Sequence, residues 1–185
     1  MIEEIKQDAD ERMGKSIEVL VAMFARIRTG RANPGLLDGI EIEYYGNPTP
    51  LNQAASITVE DARTLVISPW EKSLISAIEK AILKSDLGIT PASTSEVIRV
   101  PLPPLTEQNR KDLARHAKQE AESARIAIRN IRRDAIADIR ELVKEKEAAE
   151  DEAHRAEEDI QKLTDRRVGE VDKALAAKEA ELMEV

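Results

Sequence analysis

Residues 113–142 read LARHAKQEAESARIAIRNIRRDAIADIREL, a run that contains neither proline nor glycine. Apolar residues recur along it at steps of three and four, so they share one face of an α-helix. A narrow apolar face of this kind is stable only when it is buried against other helices. The segment therefore predicts one helix of a bundle. Its apolar stripe consists of Leu113, Ala117, Ala121, Ala124, Ile128, Ile131, Ala135, Ile139 and Leu142.

Similar stripes occur before and after this segment. The N-terminal stripe consists of Ile2, Ile5, Ala9, Met13, Ile17, Leu20, Phe24 and Ile27. The C-terminal stripe consists of Thr164, Val168, Val171, Leu175 and Leu182. Between Leu142 and Ile160 the sequence is dense in charge and has no apolar stripe. One helix over residues 106–185 would be about 120 Å long with its stripes in water, so we predict a reversal near Glu147–Asp151 and a three-helix bundle.

The middle of the chain has a different composition. All eight prolines lie between Pro34 and Pro104, and five of the seven glycines fall in or just before that stretch. Both residues are costly inside helices, so residues 31–105 are predicted to form a separate part. Its strand candidates, rich in Ile, Val, Thr and Tyr, are Ile40–Tyr45, Ala55–Val59, Thr64–Ser68 and Glu96–Val100, and its helix candidate is Trp70–Leu83. The predicted fold class is α+β: an elongated three-helix bundle from residues 1–30 plus 106–185, with a small inserted domain at 31–105.

The chain passes between the two predicted domains at two short connections. Two connections side by side allow relative motion of domains, and rigid packing of the two domains is the alternative. Thr106 also stands where it can cap the helix that follows. The hinge candidates are Thr29, Gly30, Arg31, Pro103, Pro104, Leu105 and Thr106.

Composition excludes several classes of function. The 36 acidic and 28 basic residues give a net charge of −8, and aromatic residues make up only 2%, which argues against indiscriminate nucleic-acid binding and against base stacking. Cysteine is absent, which removes disulfides, thiol catalysis and Cys-ligated zinc. No apolar run could cross a bilayer, and Glu3 and Glu4 stand where a signal peptide carries basic residues. We expect a soluble cytoplasmic protein.

The sequence also lacks the patterns of common enzymes. It contains no phosphate-binding loop, dinucleotide fingerprint, HExxH or nucleophile-elbow pattern. His116 and His154 have no second ligand at metal-site spacing, so both are interpreted as surface residues. We predict neither a metal nor a cofactor, and no catalytic residue.

Charge is distributed unevenly along the chain. Residues 110–133 contain eight basic and three acidic residues, whereas residues 134–160 contain four basic and eleven acidic residues. At 100° per residue, seven of the basic side chains lie within an arc of about 100° beside the apolar stripe. We call this set the basic flank; it consists of Lys111, Arg115, Lys118, Arg125, Arg129, Arg132 and Arg133.

Three members of the basic flank lack a helical partner. Arg125 has Glu122 three positions away, but Arg129, Arg132 and Arg133 have no acidic residue at a distance of three or four positions. Either they pair with residues of other helices or they bind an anionic ligand. The planar guanidinium suits phosphate recognition, and a helix lying across an RNA backbone would read its shape.

Several motifs, in one order over essentially the whole chain, resemble those of the bacterial ribosome recycling factors, also called ribosome-releasing factors. They are RTGRANP at 28–34, EYYG at 43–46, PTPL at 48–51, DARTL at 61–65, IRVPLPPLT at 98–106, RNIRRD at 129–134 and KLTD at 162–165. The resemblance implies an L-shaped, roughly tRNA-like monomer in which a three-helix bundle carries a hinged β/α/β domain.

The resemblance also implies a function. With elongation factor G, whose GTP hydrolysis drives the step, such a factor dissociates post-termination ribosomes from mRNA and separates the subunits. The bundle is expected to bind ribosomal RNA of the large subunit through Arg132 first, then Arg129, Arg133 and Arg110. The alternative from the residues themselves is a helical adaptor or chaperone-like protein whose stripes bind partner helices.

Overall fold

A computed structural model describes residues 1–184. The long helices are α1 (Ile2–Arg26), α4 (Glu107–Lys144) and α5 (Glu150–Met183), and the short ones are α2 (Leu51–Ala54) and α3 (Ile75–Lys84). The strands are β1 (Glu41–Tyr44), β2 (Asn47–Pro50), β3 (Ala55–Asp61), β4 (Thr64–Pro69), β5 (Ala92–Ser93) and β6 (Ile98–Pro101). Helical and sheet parts are both present, which confirms the predicted α+β class.

The chain forms two compact units. The first combines Met1–Phe24 with Ala114–Ala180, and the second combines Ala25–Leu113 with the residues from Glu181 onward. These bounds differ by six and eight residues from the predicted domain limits at 30/31 and 105/106, and the residues from Glu181 onward, predicted in the bundle, belong to the second unit. The predicted division stays a prediction.

The first unit consists of most of the three long helices, and their buried faces follow the predicted stripes. In α1 the buried residues include Ala9, Met13, Leu20 and Phe24. In α4 they are Ala117, Ala121, Ala124, Ile128, Ile131, Ala135 and Ile139. One expectation is wrong: the charge-dense stretch before Ile160 does have a buried face, because Ala153 and Ala156 are 5% and 3% exposed. Alanine is too weakly apolar to stand out among so many charges.

The reversal between α4 and α5 occupies residues 145–149, at the predicted place. Lys146 adopts the left-handed conformation with φ +62°. Its N–H donates to the Val143 carbonyl at 3.0 Å, and the Glu147 N–H donates to the Leu142 carbonyl at 2.8 Å. These two bonds form a Schellman motif, which usually has glycine at the position of Lys146. The helix therefore ends without the glycine or proline that would have marked the turn.

The second unit contains two antiparallel sheets. Strands β1 and β2 form a hairpin in which Tyr44 faces Asn47, and β3-β4-β6-β5 form a four-stranded sheet. The register of the larger sheet aligns Ile57 with Ile67 and Ile67 with Ile98. The largest fully buried side chains of the unit are Leu37, Leu51, Leu65, Ile67, Ile78, Ile82, Ile98 and, from the end of α5, Leu182.

The predicted strands β1, β3, β4 and β6 are confirmed within a few residues, whereas β2 and β5 were not predicted. Strand β2 contains Pro48 and Pro50, and a proline normally indicates a chain break; here it is tolerated because β2 pairs on one side only, with β1. Helix α3 begins at Ile75 rather than at Trp70, because Glu71 has extended backbone angles and Lys72–Leu74 form a 3-10 turn.

A shared carboxylate oxygen fixes the β1–β2 hairpin. The turn residues Tyr45 and Gly46 both have positive φ, 50° and 77°, as a type I′ turn requires. The hydroxyls of Tyr44 and Tyr45 donate to Glu71 Oε1 at 3.0 and 2.7 Å, and the two rings meet edge to face at 4.5 Å. The hydrogen bond to Glu71 is the main cause that raises the pKa of Tyr45 to about 12.

This geometry predicts the alkaline behaviour of the hairpin. Because the pKa of Tyr45 is raised above the ordinary value near 10, the hydrogen bond stabilises the fold below pH 10 and is lost as pH rises through about 12. In a spectrophotometric titration, we expect one tyrosine to ionise near pH 12 in the native protein. Glu71→Gln should return it toward pH 10, and an unchanged titration curve in that variant would contradict the assignment.

Candidate nucleic-acid interface

The basic flank lies on α4, and most of its members are paired with carboxylates. Lys111 lies 2.9 Å from Glu107, and Lys118 lies 3.8 Å from Glu179 of α5. Arg115 also has a polar or electrostatic partner. These cations are therefore held in the protein's own charge network.

Arg125 is the most enclosed of the flank's paired arginines. Its side chain is 18% exposed, with Nη2 at 2.6 Å from Asp172 Oδ1 of α5 and Nη1 at 3.1 Å from Glu122 Oε2. The hydrogen bond to Asp172 is the main cause that raises the pKa of this guanidinium. Arg125 therefore joins α4 to α5 and offers little free charge to a ligand.

Arg129 has one distant acidic contact that the sequence did not predict. Its Nη1 lies 3.5 Å from Glu122 Oε1, seven residues earlier and two helical turns away. The prediction compared only residues three and four positions apart, so it missed this pair. Glu122 also binds Arg125, and Arg129 remains 47% exposed, so the compensation of its charge is partial.

Arg132 and Arg133 have no carboxylate within 4.0 Å among residues 1–184. Arg132 Nη1 donates to Gln161 Oε1 of α5 at 3.2 Å, and its buried Nε has no hydrogen-bond partner within the described chain. Arg133 Nη2 donates to Asn130 Oδ1 at 2.6 Å. Both guanidiniums are thus held by neutral amide oxygens. Sequence reasoning missed Gln161 and Asn130 because it searched for acidic partners alone.

The structure brings Arg129, Arg132 and Arg133 together but gives Arg110 other partners. Arg110 belongs to the second compact unit, where its Nη1 donates to the carbonyl oxygens of Leu182 at 2.8 Å and of Glu184. The last carbonyls of a helix lack partners within that helix, and Arg110 satisfies one of them in α5, that of Leu182, together with the Glu184 carbonyl just beyond the helix. A role for Arg110 in RNA binding stays a prediction.

The hinge candidates lie outside helices and strands. Thr29, Gly30 and Arg31 follow α1, and the residues from Pro103 to Thr106 precede α4. Arg31 Nε lies 3.4 Å from Glu184 Oε2. The Asn109 N–H donates to Thr106 Oγ1 at 3.1 Å, which confirms Thr106 as the cap of α4. Whether these residues bend is a prediction.

Residues 1–184 contain neither a cluster of metal ligands nor a membrane-spanning helix. Across residues 1–184 no group of three or more His, Cys, Asp or Glu side chains could hold a metal ion. His116 and His154 each lie beside a single glutamate, Glu120 at 4.0 Å and Glu158 at 3.4 Å. No described helix is both long enough and apolar enough to span a membrane.

Comparisons with known proteins agree over the whole chain. Three proteins named ribosome-recycling factor, from Saccharophagus degradans, Nitrosospira multiformis and Legionella pneumophila, are each 57% identical to it over 185 residues, with 100% of both chains covered.

Two solved structures are also similar. A solution structure of ribosome recycling factor is 41% identical with a TM-score of 0.80, and the match covers 100% of this chain and 98% of the other. The second comes from models of the T. thermophilus ribosome recycling factor and the E. coli elongation factor G bound to the E. coli post-termination complex; it is 46% identical with a TM-score of 0.71, and both chains are fully covered.

A family model described as ribosome recycling factor matches residues 20–183. Together with the full-length identities, this match shows that the chain belongs to the ribosome recycling factor family.

Proposed function

We propose that this protein, with elongation factor G and GTP, dissociates post-termination ribosomes from mRNA and separates their subunits for reuse. The full-length identity of 57% to ribosome-recycling factors carries the proposal. The solved relative that is 46% identical is described together with elongation factor G on a post-termination complex. In this proposal the GTPase is the partner, and the protein itself is a monomeric, cytoplasmic translation factor with no catalytic residue and no cofactor.

The bundle is proposed to bind ribosomal RNA of the large subunit through Arg132, Arg129 and Arg133, with Arg110 as a further contact. The first three follow one another along α4, where Arg129 and Arg133 are exposed and Arg132 is half-buried, and Arg132 and Arg133 have only neutral hydrogen-bond partners in the described chain. Phosphates are the natural partners of such guanidiniums. The acidic total of −8 keeps the rest of the surface from attracting RNA.

The alternative, an adaptor that binds partner helices, has weaker support. A docked helix needs an apolar groove several turns long. The groove between α1 and α4 measures about 220 Å³, and Ser16, Glu120 and Ser123 interrupt its apolar lining. Exposed Val19 at its edge is a single residue, which is ordinary for a protein surface.

Replacing Arg132 tests the RNA contact. We expect Arg132→Ala to weaken binding to the large ribosomal subunit and to flatten the plot of log affinity against log salt by about 0.7 to 0.9 for one lost phosphate contact. Helicity and melting temperature should stay near wild-type values, since the side chain is only partly buried. Pelleting with purified subunits at two salt concentrations measures the effect.

Arg140→Ala is the matched control. Arg140 also lies on α4 and also reaches α5, but it pairs with Glu157 at 2.9 Å, so its loss should leave the salt dependence unchanged. Unchanged affinity of Arg132→Ala would contradict the RNA contact, and a large fall in its melting temperature would show that Arg132 is structural.

We also propose that residues 1–30 plus 106–185 and residues 31–105 act as two domains joined by a hinge. The hinge residues would be Thr29 to Arg31 and Pro103 to Thr106. Both connections lie outside regular elements, and Pro103 and Pro104 have no backbone N–H to donate. Bending there would disturb few backbone hydrogen bonds.

A cross-link between the two connections tests the hinge. The chain has no cysteine, so one engineered cysteine in residues 29–31 and one in 103–106, with Cα atoms closer than about 7 Å, would form the only disulfide. We expect the oxidised protein to bind ribosomes normally and to fail in subunit separation, measured by light scattering, while reduction restores the rate. Full activity of the oxidised form would contradict a hinge motion.

A further inference from the structure

The cations that reach from α4 to α5 differ in the chemistry of their partners. Arg125 meets Asp172 at 2.6 Å, Arg140 meets Glu157 at 2.9 Å, and Lys118 meets Glu179 at 3.8 Å. Arg132 also reaches α5, but its partner is the amide oxygen of Gln161 at 3.2 Å. Of these four contacts between side chains, that of Arg132 with Gln161 is the one without a negative charge; Arg110 also reaches α5, but it donates to a backbone carbonyl.

Arg133, the neighbour of Arg132, is held in the same way on its own helix. Its Nη2 donates to Asn130 Oδ1 at 2.6 Å, in the three-residue spacing where an aspartate would make an ion pair. Two adjacent arginines are therefore each oriented by a neutral amide. The nearby Asp134 is engaged elsewhere, with Arg12 of α1 at 3.2 Å.

A second hydrogen bond fixes the orientation of the Gln161 amide. Its Nε2 donates to Asp165 Oδ1 at 2.9 Å, one turn further along α5. An amide nitrogen donates and an amide oxygen accepts, so only one orientation satisfies both the guanidinium of Arg132 and the carboxylate of Asp165. The amide thus stands between Arg132 and the carboxylate of Asp165.

A guanidinium that binds an anion must be held in one orientation and must also keep its positive charge. A carboxylate would bind the guanidinium more strongly than an amide does, but it would neutralise the charge that attracts a phosphate and would compete with that phosphate. An amide limits the motion of the side chain and leaves its charge uncompensated. The Nη donors of the guanidinium that the amide does not use stay available.

We propose that Gln161 and Asn130 are positioning residues, which orient Arg132 and Arg133 toward phosphate oxygens of RNA without neutralising them. This inference rests on the proposed RNA contact of the bundle and adds the residues that make the contact possible. Glutamate at 161 or aspartate at 130 would preserve the hydrogen bond to the arginine. It would also neutralise the charge of that arginine, which would then attract a phosphate less.

The double variant Gln161→Glu with Asp165→Asn tests the proposal at constant net charge. It exchanges amide and carboxylate within the same chain of hydrogen bonds, so that Arg132 now faces the carboxylate. We expect affinity for the large ribosomal subunit to fall about tenfold, as for the loss of one charge-assisted contact. The salt slope should flatten by about 0.7 to 0.9, and the melting temperature should be maintained.

Two single variants separate orientation from charge. Gln161→Met, which keeps the length of the side chain but removes the acceptor, should weaken binding with little change in the salt slope, because Arg132 stays charged. Asn130→Asp should lower both affinity and slope through Arg133, and since Asn130 is exposed it should fold normally. Gln7→Glu at an exposed position of α1, whose charged neighbours include Lys6, Asp10 and Asp159 rather than these arginines, adds the same charge and serves as the control.

The outcomes distinguish the positioning role of Gln161 and Asn130 from the RNA contact of Arg132. If Arg132→Ala weakens binding but the exchange variant and Asn130→Asp bind and respond to salt like wild type, the positioning role is wrong and the RNA contact stands. If Arg132→Ala binds like wild type, the proposed RNA contact itself fails, and the positioning role fails with it. An equal loss in Gln7→Glu would show a general effect of added negative charge and would also overturn the positioning role.

Discussion

Burial of one face of α4 is the constraint on which the candidate interface depends. Ala117, Ala121, Ile128 and Ile139 are fully buried, and they fix the rotation of the helix about its axis. Since the basic flank lies beside this stripe on the same helix, burial of the stripe also determines where each arginine points. Arg125 and Arg132 are directed to α5, and Arg133 is left on the exposed side. The core and the interface are thus two faces of one helical segment.

The partners of these arginines then decide what each one does. Exposed ion pairs contribute little to stability, so the carboxylates beside Arg129 and Arg140 matter mainly because they offset charge, at Arg129 only in part. The amides beside Arg132 and Arg133 do not cancel it. A protein with a net charge of −8 therefore keeps a small positive site, and the surrounding negative charge opposes contact with RNA anywhere else. This arrangement explains how an acidic protein would bind a polyanion at one place.

Much of the fold can be predicted from the sequence, because periodic burial leaves a periodic pattern. The three stripes, the strands β1, β3, β4 and β6 and the cap at Thr106 follow from local rules, and the reversal before α5 follows from the length that one continuous helix would have. Strand β2 could not be predicted because prolines normally indicate a break in a strand. The buried face at Ala153 and Ala156 could not be recognised because charged residues surround these alanines in the sequence. The candidate site is predicted only in part: Arg129, Arg132 and Arg133 stand out by their missing helical partners, whereas Gln161 comes from another helix and leaves no signal in the sequence near Arg132.

The central claim is that Arg132 and Arg133 carry free charge that RNA phosphates neutralise. The salt dependence of wild-type binding to the isolated large ribosomal subunit tests it most directly, since each phosphate contact contributes about 0.7 to 0.9 to the slope. Two such contacts predict a slope of log affinity against log salt of about −1.4 to −1.8, or steeper if Arg129 contributes. Affinity that stays constant as salt rises would contradict the account.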